Sequence, residues 1–561
     1  MTPQETFSGF GRSAVITILA IYVLAEGLQK TGVTDLVGKV LLKVAGSREP
    51  WLVATVTFAG AFLSLFMNNI AAAMVLLPAV NGVTRKTGIS PARLMMPLAF
   101  GTILGGMATL FTTTNIVVSS LLRDQKIAGF GVFDFLPLGI PIVLVGGFYL
   151  IFWGRRLLTS TPTLTQATTM PLSETSLADV YQLNERLVWA QIPASSPLAG
   201  QPLSQSHLRD TYRLNVIAVK RRQQMNFAPA PDTVLNPGDF LWIAAHPDDL
   251  KQDDLKVIVQ FSVNPERTAA SLEEQDFALI EAVLTPRSRL ISCTLRDSHF
   301  REKYGMEVIA IWRSGRPYRT RLSDLTLQFG DALLLYGRRS QIAVLHAESD
   351  LILLNGKHTS APSRGTKTWL ALGLMLLAII AASFNNAIIG EVMLGAALLM
   401  ILSGILTMDQ AYQAIEWKSI FLIAGMLPLG IAMIKTGAAA ILGNGLVALL
   451  GGLGPIAMLA GLVLVTTLLS QVINGAAVAA IMAPIAIQIA QQIGVDPRAF
   501  GMGVALATSV TFLTPLGHPV NILVMGPGGY RFRDYVRVGA PLTFILLVII
   551  IGLLPVVWKF G

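Results

Sequence analysis

Two clusters of polar residues interrupt apolar segments of this chain, one in each half. The first cluster comprises Ser64, Asn68, Asn69, Thr112, Thr113, Thr114 and Asn115. The second comprises Ser470, Asn474, Gly475, Gly517, His518, Pro519, Val520 and Asn521. Such residues inside an apolar run indicate a helix broken within a membrane, where backbone and side-chain oxygens can bind sodium and helix N-termini can bind an anion. These residues therefore predict that an anion and cations bind together.

A constant offset in the chain relates the two clusters. Six residue pairs separated by 406 positions are Ser64 and Ser470, Asn68 and Asn474, Pro78 and Pro484, Gly88 and Gly494, Pro91 and Pro497, and Asn115 and Asn521. Two halves with interrupted hydrophobic segments at corresponding positions are typical of transporters whose substrate lies between the repeats, near the bilayer midplane.

The composition places most of the chain in lipid. Of its 561 residues, 53% are hydrophobic and 13% charged, with a mean hydropathy of +0.61. The net charge of +9 comes from arginine and lysine gathered at helix ends, which is typical of a membrane protein and argues against a nucleic-acid partner. We therefore expect a polytopic α-helical membrane protein with inverted repeats, re-entrant hairpins and broken helices.

One long polar stretch, residues 159–366, separates the membrane halves of residues 1–158 and 367–561. It repeats itself at an offset of 92 positions, which pairs Arg221 with Arg313 and Gly238-Asp239 with Gly330-Asp331. Each copy reads as strands, a short helix and a Gly-Asp turn, so the stretch predicts a tandem α/β domain. The single cysteine, Cys293, rules out an intrachain disulfide and favours a cytoplasmic location.

The two copies, about 180–250 and 272–345, resemble TrkA-C domains. The resemblance implies a regulatory role, and some such modules bind nucleotides. Basic residues of the second copy could bind a phosphate group; they are Arg287, Arg289, Arg296, Arg301, Lys303 and Arg313. The simpler alternative is a solvated basic face next to an anionic membrane surface.

The membrane halves resemble the divalent anion/sodium symporter family of the ion transporter superfamily, in its paired hairpin motifs and its helix breaks. The resemblance implies a homodimer in the inner membrane, surrounded by lipid, that moves its substrate by an elevator-like movement. It also implies sodium-coupled symport, with the 159–366 domain in the cytoplasm.

The family's binding roles carry over by position. The resemblance implies a first sodium site at Ser64, Asn68 and Asn69 with the backbone near Phe111 and Thr112. A second would lie at Ser470 and Asn474 with the backbone near Gly517. The anion would lie against Asn69, Thr112, Thr113, Gly475, His518 and Pro519. The helix breaks themselves would continue through Thr114, Asn115, Val520 and Asn521.

Departures from the family pattern bear on the substrate. Ile70 and Ala476 replace the threonines that would contact a carboxylate, and Gly475 replaces an asparagine. A C4-dicarboxylate site is therefore disfavoured, whereas the hydroxyls of residues 112–114 suit a compact tetrahedral oxyanion, of which sulfate is favoured. Transport of a dicarboxylate or another oxyanion, coupling to protons, and an anion sensor without transport stay as alternatives.

His518 is the ionisable residue of the two breaks. It could be an anion ligand, a group that titrates near neutral pH, or a cap on the broken helix. No metal cluster or nucleophile–base pair is apparent in the sequence, so we expect no enzyme activity.

The second membrane half contains two apolar segments, 368–383 and 389–405, without counterparts in the first half. We therefore expect the first repeat to lack its first two scaffold helices. We expect either that the chain as given starts late or that this protein dispenses with them, and the first alternative is favoured.

Overall fold

The computed structural model describes residues 1–560, with gaps. The gaps are 34–47, 159–186, 209–210, 213, 222–223, 228, 230–231, 245–258, 263–276, 286–287, 314–315, 320–321, 339–340, 343–344, 346–349, 355–364, 385–387 and 559. The chain divides into two compact units, one of Met1–Val83, Ala92–Ser160 and His358–Gly561 and one of Thr84–Pro91 and Thr161–Lys357. The predicted linkers at the ends of the polar stretch lie outside the described residues.

The N-terminal half of the larger unit is helical. Its described helices are α1 (Pro3–Phe7), α2 (Ser13–Lys30), α3 (Glu49–Ser64), α4 (Asn69–Thr87), α5 (Met95–Gly106), α6 (Thr113–Asp124) and α7 (Leu136–Tyr149). A π-helical turn, Leu150–Gly154, extends α7 towards Leu157. The chain leaves helical geometry between α3 and α4 and between α5 and α6, and these interruptions coincide with the first polar cluster.

The smaller unit contains two antiparallel sheets. The first sheet consists of β1 (Leu187–Gln191), β2 (Asn215–Arg221), β3 (Gln224–Phe227), β4 (Phe240–Ala244) and β5 (Gln260–Ser262). The second copy consists of β6 (Phe277–Leu284), α8 (Phe300–Tyr304), β7 (Met306–Arg313), β8 (Arg316–Tyr318), β9 (Ala332–Arg338) and β10 (Leu351–Leu353). The strand orders are β3-β2-β4-β1-β5 and, from the corresponding edge, β8-β7-β9-β6-β10. The two copies therefore have the same topology, while their identification as TrkA-C domains stays a prediction.

One ion pair recurs in both copies at the predicted offset. Arg221 Nη2 lies 2.8 Å from Asp239 Oδ2, and Arg313 Nη2 lies 2.6 Å from Asp331 Oδ2. Both aspartates are almost fully buried, and their hydrogen bonds raise the pKa of each guanidinium. The Gly-Asp turn is thus fixed by an arginine from the preceding hairpin.

Three other basic residues of the second copy also have acceptors. Arg296 pairs with Asp324 at 3.0 Å, Lys303 lies 3.5 Å from Asp350, and Arg301 donates to the carbonyl of Pro229. Arg289 is exposed, and Arg287 lies outside the described residues. These acceptors already neutralise or satisfy Arg296, Arg301 and Lys303, which argues against a phosphate site at these three residues.

The C-terminal half of the larger unit is again helical. Its described helices are α9 (Gly365–Phe384), α10 (Ile389–Leu402), α11 (Met408–Ala414), α12 (Trp417–Lys435), α13 (Ala438–Leu450), α14 (Pro455–Ser470), α15 (Gly475–Gln492), α16 (Pro497–Ala507), α17 (Pro519–Gly528) and α18 (Phe532–Val557). The two additional apolar segments predicted before the second repeat are α9 and α10.

Helix bounds correspond between the two halves. Helix α14 begins and ends 406 positions after α3, and α15 and α17 begin 406 positions after α4 and α6. Gly88 and Gly494 both have a positive φ, of 72° and 71°, and Pro78 and Pro484 both lie inside a helix. Helix bounds do not define orientation across a membrane, so the inversion of the repeats stays a prediction.

Five described helices are long and apolar enough to cross a membrane, or six if α11 and α12, which are bent by 55° relative to each other, count as one span. They are Pro3–Lys30, Leu136–Leu157, Lys367–Phe384, Gly475–Gln492 and Phe532–Val557. Large apolar side chains on them are exposed, such as Leu377 at 64% and Phe544 at 69%. Surfaces of this kind are stable against lipid, so the chain is a membrane protein.

Helices α3 and α5, which precede the two interruptions of the first half, pack at backbone distance. A Cβ atom on Gly101 or Gly105 would overlap the carbonyl oxygen of Thr57 or Ala61, respectively. Glycine at both positions therefore allows the two helices to approach closely.

We predict that Gly105→Ala destabilises the protein by about 1–3 kcal/mol, because the added methyl group must push α3 and α5 apart. Thermal unfolding in detergent would measure the change. Gly82→Ala, at a helical position with nothing within 4 Å, is the matched control and should be at least as stable as the wild type. Equal melting temperatures for both variants would contradict the close packing.

Candidate functional site

The two polar clusters line one cavity of about 150 Å³ in the larger unit. The predicted residues that line it are Asn68, Asn69, Phe111, Thr112, Thr113, Thr114, Asn474, Gly475, Gly517, His518 and Pro519. All six predicted anion-binding residues are among them. Ser64, Ser470, Asn115, Val520 and Asn521 are buried and do not line the cavity.

Two helices begin at the cavity behind an asparagine cap. Asn68 Oδ1 accepts a hydrogen bond from the Ile70 amide at 2.8 Å, and Asn474 Oδ1 accepts one from the Ala476 amide at 2.9 Å. Asparagine is a favoured N-cap because its side-chain oxygen satisfies a donor that lacks an intrahelical partner. The N-termini of α4 and α15 therefore present their partial positive charge to the cavity.

Two more helices, α6 and α17, begin at the cavity after the second interruption of each half. Their N-cap residues, Thr112 and His518, occupy equivalent positions in the repeat. His518 Nδ1 accepts from the Val520 amide at 3.2 Å, so His518 is a helix cap, and its ring also lines the cavity.

A direct contact joins the first hairpin to the second break. Nε2 of His518 lies 3.2 Å from Nδ2 of Asn69, and Oδ1 of Asn69 accepts from the Ser64 hydroxyl. Asn69, the first residue of α4, is therefore in contact with one residue from each half.

Equivalent asparagines stabilise the two breaks from behind the cavity. Asn115 Nδ2 donates to the Thr109 carbonyl at 2.6 Å, and Asn521 Nδ2 donates to the Thr511 carbonyl at 2.9 Å. Both satisfy carbonyl groups that the interrupted helix leaves without a partner. Among the described residues, neither Oδ1 atom has a hydrogen-bond partner, and neither has the buried hydroxyl of Thr112.

Gln471 stabilises the second break through contacts that the first break lacks. Its Nε2 donates to the Val510 carbonyl at 2.7 Å and its Oε1 accepts from the Leu513 amide at 3.2 Å. The equivalent residue of the first half is Leu65. Sequence reasoning assigned no role to Gln471. A glutamine at the end of an apolar helix could have indicated that its side chain satisfies backbone groups of the break.

Sequence reasoning also missed the residues that line the cavity from outside the breaks. Tyr22 of α2 donates its hydroxyl to Glu416 Oε2 at 3.0 Å, and both residues line the cavity together with Ser419. The described lining contains neither lysine nor arginine, and Glu416 is its one carboxylate.

Comparison with known proteins identifies transporters. The family model described as "Citrate transporter" (CitMHS) matches residues 1–505 and 454–561. "Uncharacterized transporter sll0640" of Synechocystis is 34% identical over 97% of this chain and 89% of that protein. "Uncharacterized transporter YfbS" of Escherichia coli is 32% identical over 100% of this chain and 93% of that protein. "Sodium/sulfate cotransporter 2" of Chlamydomonas reinhardtii is 21% identical over 98% and 84%, respectively.

We predict that Gln471→Leu lowers the free energy of unfolding by about 2–4 kcal/mol, because it leaves the partly buried amide of Leu513 and the buried carbonyl of Val510 without this partner. Thermal unfolding in detergent is the measurement. Gln492→Leu makes the same change at an exposed position and should have little effect. A Gln471→Leu protein as stable as this control would show that the break does not depend on the side chain.

Proposed function

The chain belongs to the citrate transporter (CitMHS) family, and we propose that it is a sodium-coupled symporter of a small divalent oxyanion such as sulfate. It is a membrane transporter and not an enzyme, because its family and its relatives are transporters. In the proposal it works as a homodimer in the inner membrane, with elevator-like movement, and its tandem α/β domain regulates transport from the cytoplasm.

The convergence of four helix N-termini on one cavity carries the proposal. The starts of α4, α6, α15 and α17 come from both repeats and line a volume of about 150 Å³. Amide groups at helix N-termini bind anions without a charged side chain. The anion would lie between Asn69, Thr112 and Thr113 of the first half and Gly475, His518 and Pro519 of the second.

Electrostatics supports coupling to sodium. Without lysine or arginine in the described lining, and with Glu416 present, a divalent anion needs cations beside it. In the proposal Ser64, Asn68 and Asn69 with the Phe111 carbonyl bind one sodium ion. An amide oxygen that caps a helix keeps a second lone pair for a cation.

The second sodium ion would bind the equivalent groups of the second half, Ser470, Asn474 and the Gly517 carbonyl. The buried oxygens of Thr112, Asn115 and Asn521 have no hydrogen-bond partner within the described part of the chain, and a cation or a water molecule could bind them.

The size and chemistry of the cavity support a compact substrate. Ile70 and Ala476, which line it, cannot hydrogen-bond a carboxylate through their side chains. Three algal relatives carry the name sodium/sulfate cotransporter, which supports an inorganic oxyanion. Citrate is the second candidate, because the family is named for it.

Uptake into proteoliposomes tests the function. We expect accumulation of radiolabelled oxyanion in the presence of an inward sodium gradient, and little uptake when potassium replaces sodium. Sulfate, phosphate, succinate and citrate would be compared as substrates. Uptake that follows a proton gradient and ignores sodium would contradict the coupling, and uptake of citrate alone would favour the second candidate.

The capping asparagines allow a test of the sodium sites. Asn68→Ala and Asn474→Ala should each reduce sodium-dependent uptake at least about tenfold, because they remove both the cap and a cation ligand, and should cost about 1 kcal/mol in stability. Asn68→Ser keeps a capping oxygen, so it should retain stability but require more sodium for half-maximal uptake.

Asn444→Ala is the matched control for these variants, since Asn444 is exposed and does not line the cavity. If Asn68→Ala and Asn474→Ala both keep the sodium dependence of the wild type, the proposed cation sites are wrong.

A further inference from the structure

Glu416 places a negative charge in a cavity proposed to bind an anion. The residue directly precedes α12, and its Oε2 atom accepts the hydroxyl of Tyr22 at 3.0 Å. Tyr22 is 6% exposed and belongs to α2, so two helices outside the breaks position the carboxylate. The proposed anion contacts do not use Glu416, and its place in the lining calls for a role.

The other polar groups that the proposed anion would meet are hydrogen-bond donors, which suit the oxygen atoms of an anion. Helix N-termini and the hydroxyls of Thr113 and Thr114 can donate to oxygen atoms of a bound anion. An ionised carboxylate differs because it only accepts hydrogen bonds. An anion in a cavity of about 150 Å³ therefore meets donors at the breaks and an acceptor at Glu416.

Divalent oxyanions differ in what they can offer such an acceptor. Sulfate carries no proton, so an oxygen atom next to Glu416 would be repelled. Monohydrogen phosphate has the same charge and a similar shape, but its remaining hydroxyl can donate to the carboxylate. Sites that contain a fixed acceptor reject ligands that lack the matching donor, since the buried acceptor is left without a partner.

We infer that Glu416 is a specificity-determining residue that makes the cavity favour an oxyanion that retains a proton, of the monohydrogen phosphate class, over a fully deprotonated one such as sulfate. The inference rests on the proposed function: it keeps the class of small divalent oxyanions but places monohydrogen phosphate ahead of sulfate, the example given there. Tyr22 acts as a positioning residue, since its hydroxyl occupies one oxygen of Glu416 and leaves the other for the substrate.

Competition against labelled phosphate tests the inference in proteoliposomes that contain the full chain and a sodium gradient. Unlabelled phosphate and sulfate would be titrated at a pH at which both are divalent, and the ratio of their half-inhibitory concentrations would be measured. The wild type should favour phosphate. In Glu416→Gln the preference should fall about 10- to 100-fold, as expected for one hydrogen bond to a charged group.

Two further variants make the comparison specific. Tyr22→Phe keeps the carboxylate but removes the hydroxyl that positions it. The preference for phosphate should therefore fall, but less than in Glu416→Gln. Glu391→Gln makes the same chemical change on α10, at an exposed residue that does not line the cavity, and should leave the ratio unchanged.

A wild type that takes up sulfate in preference to phosphate would overturn the inference without any variant. An unchanged ratio in an active Glu416→Gln protein would also overturn it, even if the variant changed the pH dependence of uptake. The absence of sodium-dependent uptake of every anion in the wild type would instead refute the proposed function, and with it this inference.

Discussion

The structure of the larger unit depends on the satisfaction of backbone groups where helices are interrupted. Each break frees amide and carbonyl groups that lipid cannot hydrogen-bond, so the chain must supply their partners. Asn68 and Asn474 cap the helices that begin at the cavity, whereas Asn115 and Asn521 bind carbonyls behind it. Amide groups that remain open at the helix starts are then available to a ligand.

Some of the contacts that satisfy these backbone groups occur in both halves, and others occur in one half. The asparagine pairs are shared, and they recur at the same offset. Gln471 occurs in the second half alone, where it ties the loop to α14, while Leu65 occupies its place in the first. His518 replaces the threonine of the first half, and so the two breaks differ in the groups they present to the cavity.

Much of the cavity could be predicted from the sequence, because broken-helix chemistry is local. Helix caps and breaks lie within a few residues of each other, and the repeat located both sets. Tyr22 and Glu416 could not be found in this way, since their position depends on how α2 and α12 pack. A repeat search also finds only matched residues. At the offset of 405 positions that aligns Lys30-Thr31-Gly32 with Lys435-Thr436-Gly437, position 416 corresponds to Gly11. Likewise, strand pairing in the smaller unit follows from long-range contacts that periodicity does not specify.

The contact between Asn69 and His518 has a consequence for how this chain can change over evolutionary time. After an internal duplication, equivalent positions start alike and can diverge separately. Here a residue from one copy touches a residue from the other, at 3.2 Å. A substitution at either position alters the surroundings of its neighbour, so the two are expected to co-vary among descendants. Divergence of the copies is thereby restrained at the point where they meet.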